Sequence, residues 1–143
     1  MKLKAPFPYF GGKSSVADVV WKRLGNPRMY VEPFFGSGAV LLARPGDDFD
    51  HEIVNDYDGH IANVWRAIKL DPDEVAKWCD WPCNHIDLMA RKHVLNRDYA
   101  ELRKNLLDDP EYFNAKLAGY WVWCASNWIG SGLVCPKGIP ILT

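Results

Sequence analysis

The sequence predicts an α/β fold with parallel strand pairing, extended by an added run of helices. Two observations carry this expectation. Short strand-like segments at 29–31 and 51–55 alternate with stretches of helical periodicity, in the order strand, helix, strand, helix. From Asp71 to Trp128 the signal is then helical.

The elements follow in order. Pro6-Phe7-Pro8-Tyr9-Phe10-Gly11-Gly12-Lys13 reads as a rigid aromatic loop closed by a glycine pair. A helix follows from Ser14 or Ser15, with Val16, Val19, Val20 and Leu24 on one face. Gly25-Asn26-Pro27 stops it. Residues 29–31 form a short buried strand, closed by Glu32-Pro33, and Gly36-Ser37-Gly38 turns the chain into a helical run over 39–43. Residues 51–55 form the second strand, with Asp56 at its C-terminal end. The next helix covers 59–70, because Ile61, Val64, Trp65 and Ile68 repeat at i, i+3, i+4 and i+7. Asp71-Pro72 is a cap-and-proline start for another helix. Two longer stretches cover 86–107 and 111–128, the second opened by Asp109-Pro110. Beyond Trp128 the glycines and prolines predict a loop.

The 143 residues are one ordinary domain's worth of chain, enough to bury a core. With 48% hydrophobic and 24% charged residues, the composition argues against disordered, collagen-like and coiled-coil classes. No apolar run approaches the ~18 residues of a membrane span. The first six residues contain no apolar signal-peptide core. A net charge of −1 excludes a simple polycationic nucleic-acid binder, though not a local basic face. Seven tryptophans point to stacking surfaces or an aromatic core.

Cys79, Cys83, Cys124 and Cys135 are expected to be free buried thiols. Cys79 and Cys83 with His85 nearby invite a zinc reading, but no second pair has matching spacing, and no metal is expected. Arg91, Lys92, Arg97, Arg103 and Lys104 give the helical segment a basic character that could meet DNA phosphates. Asp87, Asp98 and Glu101 are interspersed among them, so an ordinary solvated face is the better expectation. Trp121, Trp123 and Trp128 are expected mostly in the core, and His60, His85 and His93 receive no role.

A strand, a glycine turn and a helix together make a pocket. Backbone N–H groups at the helix start point outward, and missing Cβ atoms admit a ligand closely. Asp56, 18 positions after Gly38, can accept hydrogen bonds from ribose hydroxyls at the end of the second strand. A dinucleotide fold needs Gly-x-Gly-x-x-Gly, and Leu41 stands at the sixth position. Glu32 before the turn is a poor neighbour for a pyrophosphate and a good one for a ligand bearing a sulfonium and an ammonium. The chemistry therefore favours S-adenosylmethionine over NAD. The plain structural alternative is that the glycines only make a tight turn and Asp56 only caps a helix.

Pro8-Tyr9-Phe10-Gly11-Gly12-Lys13, followed by Val31-Glu32-Pro33-Phe34-Phe35-Gly36-Ser37-Gly38-Ala39-Val40 and by Val54-Asn55-Asp56, resembles the Dam-like family of N6-adenine DNA methyltransferases. The resemblance implies a Rossmann-like methyltransferase fold, incomplete here and with an added helical segment. It also implies S-adenosylmethionine as methyl donor, double-stranded DNA with a flipped adenine as substrate, and a place in the cytoplasm of a bacterial cell or phage-infected host. Tyr9 takes the place of the family's usual tryptophan beside the cofactor, Lys13 matches its motif lysine and Asp56 its ribose acid. With Glu32, Phe34, Gly36 and Gly38 these make up the expected cofactor site. The expected division is a cofactor-binding part at 1–70 and, at 71–143, a helical segment leading into target recognition.

The family's catalytic Asp-Pro-Pro-Tyr is absent; Asp71-Pro72-Asp73 and Asp109-Pro110-Glu111 read as helix starts. In the family the motif accepts the N–H bonds of the adenine amine, aims its lone pair at the methyl and stacks on the flipped base. No catalytic residue is therefore expected in this chain. The missing motif strand would leave 29–31 as an exposed apolar edge. These features lead to the expectation of an N-terminal portion of a longer protein, or half of a split enzyme. A non-catalytic remnant and, more weakly, an NAD-binding α/β enzyme are the alternatives.

Overall fold

Four-residue strands and short connections set the first part of the structure. β1 (Met29–Glu32) and β2 (His51–Val54) pair in parallel, with Met29 opposite His51 and Glu32 opposite Val54. The computed structural model describes residues 3–129, 132 and 133. It divides into two compact units, one reaching Tyr57 and the other starting at Asp58. This boundary falls ahead of position 70, where the sequence reading divides the chain.

In the first unit, α1 (Ala17–Leu24) precedes β1, and α2 (Ala39–Leu42) lies between the strands. The core gathers Ala17, Trp21, Tyr30 and Val40, with Val20, Leu41 and Ala43 packed against it. The Trp21 and Tyr30 rings lie 4.9 Å apart, and the Trp21 indole N–H donates to the Val40 carbonyl at 2.7 Å. This anchoring corrects the expected face of α1. Ala17 and Trp21 turn inward, while Val16, Val19 and Leu24 are exposed. A tryptophan brings more apolar area than a valine and carries a donor that finds a carbonyl here, so the helix orients around it.

The expectation of a buried first strand is also corrected. Tyr30 and Glu32 are buried, while Met29 and Val31 stand in solvent. Side chains alternate across a strand, and only one face of this sheet is covered. Among the described residues β1 pairs with β2 alone, so its other edge is open.

The second unit is helical. α3 (Gly59–Leu70) and α4 (Pro72–Cys79) match their expected positions closely. Asp58 caps α3 by accepting from the His60 N–H, and Asp71 caps α4 with Pro72 in the first turn. The expected single helix over 86–107 is two: α5 (His85–Arg97) and α6 (Tyr99–Asp108), broken at Asp98. Asp98 ends one helix and begins the next, with its carboxylate held by Arg97 at 2.5 Å.

The last helix, α7 (Ala115–Asn127), starts later than expected. Asp109 instead ends α6, and its carboxylate accepts from the Glu111 N–H in a turn. Asn114 is the true cap: its side chain accepts from Leu117 N–H, and its backbone exchanges two hydrogen bonds with the buried Asn63 amide at 2.7 and 2.9 Å. α7 packs on α3, α4 and α5, and α6 packs on α3. Because α7 has neighbours on several sides, its buried residues run most of the way round it.

Two further expectations change. Arg91 is buried, with its guanidinium over the Trp81, Tyr120 and Trp123 rings at 5.0, 4.3 and 4.5 Å and donating to the Trp78 carbonyl. Three aromatic faces and a carbonyl compensate its lost water, so it does not join the solvated basic face. Cys83 is exposed, in the loop that follows α4, whereas Cys124 is buried and Cys79 half-buried. All three are free thiols; Cys135 and most of the loop expected beyond Trp128 (130, 131 and 134–143) lie outside the described residues. Trp121 and Trp123 are in the core, as expected. Among the described residues, no helix is long and apolar enough to cross a membrane, and no three potential metal ligands come together.

Candidate functional site

The aromatic loop before α1, the turn after β1 and the residue just past β2 converge on one cavity of about 160 Å³. Tyr9, Lys13, Phe34 and Asp56 line it, with Phe35 and Ser37. Four of the seven expected site residues therefore lie on its wall.

Gly36 backs the wall through its contact with Tyr9. Gly36 has φ +53°, and a Cβ there would stand 2.9 Å from the Tyr9 ring. The ring lies directly on the glycine, which explains why this position needs hydrogen as its side chain. Gly38, at φ 69°, starts α2. That helix has only four residues, so it offers less to an anion than the sequence reading supposes. The Gly36 N–H is not aimed at a ligand; it donates to an Asp56 carboxylate oxygen at 2.8 Å. Asp56 is thereby fixed at the cavity, 20 positions from its partner in sequence, and the helix cap that follows is Asp58 instead.

Glu32 and Lys13 form the charged part. Glu32 is 4% exposed. Lys13 Nζ lies 3.0 Å from Glu32 Oε1, an ion pair without hydrogen-bond alignment, and donates to the Phe34 carbonyl. Glu32 Oε2 accepts from the Tyr30 hydroxyl at 3.0 Å. Burial, and then the charge on Glu32, push the Tyr30 phenol well above its ordinary range, so it remains a donor. Oε1 is left as a buried carboxylate oxygen with no hydrogen bond, beside a lysine on the cavity wall. Its charge is met by the Lys13 ammonium, so Glu32 stands behind the cavity wall that Lys13 lines. Tyr30 is the residue that sequence reasoning missed. Its signal was there in the spacing, since residues i and i+2 of a strand share a face.

A larger cleft of 640 Å³, lined by Asp18, Trp21, Lys22 and the 43–47 segment, has neither a glycine turn nor a strand-end acid. Its buried cation, Arg44, is already committed to Asn26, Glu52 and the Pro27 carbonyl. The glycine-turn cavity is therefore the better candidate.

Comparison with known proteins places the chain in a family. The chain is 30% identical over 81 residues to the DNA adenine methylases of two Vibrio cholerae serotype O1 strains, Classical Ogawa and El Tor Inaba. The match takes in 54% of this chain and 28% of each relative, so the chain spans under a third of the length of these curated relatives. No solved structure matches. The profile of the D12 class N6 adenine-specific DNA methyltransferases matches residues 9–117, from Tyr9 on the cavity wall into α7. The chain belongs to the D12 class of N6 adenine-specific DNA methyltransferases.

Proposed function

We propose that this chain is the cofactor-binding part of a site-specific DNA adenine-N6 methyltransferase that uses S-adenosylmethionine. The observation that carries the reading is the buried Glu32 carboxylate, ion-paired at 3.0 Å with Lys13 on the cavity wall. This pair offers one anion and one cation to a zwitterionic amino-acid group. Asp56 would take the ribose hydroxyls, Tyr9 and Phe34 would offer flat faces to the ligand, and Gly36 and Gly38 would shape the turn that sets Tyr9 and Asp56 in place. When bound, the cofactor supplies an electrophilic methyl on a sulfonium.

The division proposed remains a cofactor-binding part over 1–70 and a helical segment over 71–143 that leads into target recognition. The residues that prepare the adenine amine are not among those of this chain, because no Asp-Pro-Pro-Tyr occurs in it. The reading assigns them to a further polypeptide segment, on this gene product or a second one. A strand from it would cover the open edge of β1, where Met29 and Val31 are exposed. The same missing motif supports a second reading, a non-catalytic methyltransferase remnant. The DNA downstream of Thr143 separates the two: an Asp-Pro-Pro-Tyr codon run in any frame favours the enzyme, and its absence favours the remnant. The double-stranded DNA substrate puts the protein's place of action in the cytoplasm of a bacterium or phage-infected host.

Calorimetric titration of S-adenosylhomocysteine tests the cofactor site. Binding is expected, with Asp56→Ala weakening it about tenfold through the lost charged hydrogen bonds. Unchanged affinity in that variant would remove the ribose assignment. Displacement by NAD would instead favour a dinucleotide site.

A further inference from the structure

The geometry points to Tyr30 as a positioning residue: set behind the cavity, its hydroxyl orients Glu32, and through Glu32 the ammonium of Lys13, for the amino-acid end of the ligand. The inference rests on the proposed cofactor reading and goes beyond it, since Tyr30 is not on the cavity wall.

Three observations support it. Tyr30 and Glu32 sit two apart on β1, so both point to the covered face of the sheet. The hydroxyl donates to Glu32 Oε2 at 3.0 Å, which leaves Oε1 as the oxygen turned to Lys13 Nζ at the same distance. A carboxylate has two equivalent oxygens and a rotatable bond. Securing one of them selects which way the other faces. The ring of Tyr30 is itself held, 4.9 Å from the Trp21 ring, and Trp21 is bonded to the Val40 carbonyl. The series Trp21, Tyr30, Glu32, Lys13 thus runs from the core of the unit to the wall of the cavity. A buried carboxylate gains more from such a donor than an exposed one, because no water replaces it.

The chemistry predicts a selective effect. S-adenosylhomocysteine carries both an ammonium and a carboxylate. 5′-Methylthioadenosine keeps the adenine, ribose and sulfur but has no amino-acid group. Both ligands would be titrated calorimetrically into the full chain and its Tyr30→Phe variant, with thermal melts recorded in parallel. Tyr30→Phe is expected to weaken S-adenosylhomocysteine about tenfold, the scale of one hydrogen bond to a charged group, and to leave 5′-methylthioadenosine unchanged. Glu32→Gln should show the same selectivity, and adding Tyr30→Phe to it should cost nothing further, since the two act as one unit.

Equal losses for both ligands would show a merely structural role and overturn the inference. So would unchanged S-adenosylhomocysteine binding by Tyr30→Phe, or independent, additive losses in the double variant. Failure of the wild-type chain to bind either ligand would instead sink the cofactor reading, and the inference with it.

Discussion

Single residues carry the strongest physical constraints in this chain, and two of them lead to measurable consequences. Gly36 combines a left-handed φ of +53° with a Tyr9 ring 2.9 Å from where a Cβ would stand. Gly36→Ala therefore meets two penalties, backbone strain of about 1–2 kcal/mol and a steric clash. The variant should melt earlier and bind S-adenosylhomocysteine more weakly than wild type. Removing the ring as well, in Tyr9→Ala/Gly36→Ala, should relieve the clash but not the strain. The double variant should then be less destabilised than the sum of the two single changes, which thermal melts of all four proteins would show. His60 gives a pH effect. It is buried against the Tyr99 ring at 4.8 Å, and neither ring nitrogen has a hydrogen-bond partner. Burial lowers its pKa from 6.5 to about 4. Between these values the unfolded chain holds a proton at this site that the folded chain does not. Its contribution is thus complete above pH 6.5 and is lost as pH falls to about 4, a loss of about 3 kcal/mol in all. Urea melts between pH 7 and 4.5 should show this slope, and His60→Phe, which keeps a ring on Tyr99, should flatten it. An identical slope in both proteins would assign the acid sensitivity elsewhere.

Elements differ in how much of their position is written locally. α3 and α4 were legible in the sequence because their signals are short-range: a polar cap, a proline in the first turn and a periodic apolar face. The glycine turn and the acid after β2 were legible for the same reason, and they do meet at one cavity. The start of α7 was not, because Asn114 is selected as its cap by a bond to Asn63, 51 positions earlier. Arg91 was misread since its rings come from Trp81, Tyr120 and Trp123, which only the folded second unit assembles. α1 shows the limit of periodicity: three valines and a leucine outlined one face, yet one tryptophan with a carbonyl partner decided the orientation. Helix packing also leads to a test. At Gly119 on α7 a Cβ would stand 2.4 Å from Trp78 Cβ and 2.8 Å from the Val75 carbonyl on α4. Alanine is favoured over glycine within a helix by about 1 kcal/mol, but a backbone contact this close forces the helices apart. Gly119→Ala should therefore destabilise the chain by roughly 1–3 kcal/mol. A raised melting temperature would mean that α4 and α7 are not in such close contact.

For the whole chain, binding and chemistry separate on the proposed reading. Every residue lining the cavity falls between Tyr9 and Asp56, within the first unit. On the proposed reading, these residues alone hold the ligand. Methyl transfer asks for more. The lone pair of an adenine amine is delocalised into the ring, and it becomes nucleophilic only when acceptors take its N–H bonds and a ring stacks on the flipped base. The acids of the two Asp-Pro pairs and the cavity acid have other tasks: Asp71 caps α4, Asp109 closes the turn after α6, and Asp56 is bonded to Gly36. The expected behaviour is thus protection without turnover. S-adenosylhomocysteine at a hundred times its dissociation constant should stabilise the chain by about 2.7 kcal/mol, seen as a rise in melting temperature. NAD at the same concentration should not. With methyl-labelled S-adenosylmethionine and adenine-containing duplex DNA, the chain by itself should leave the DNA unlabelled. Addition of a polypeptide that carries the Asp-Pro-Pro-Tyr strand should restore labelling if that strand docks on the open edge of β1. Labelled DNA from the chain alone would show that acceptors for the amine exist among its own residues. That result would overturn this division of labour while leaving the proposed ligand cavity in place.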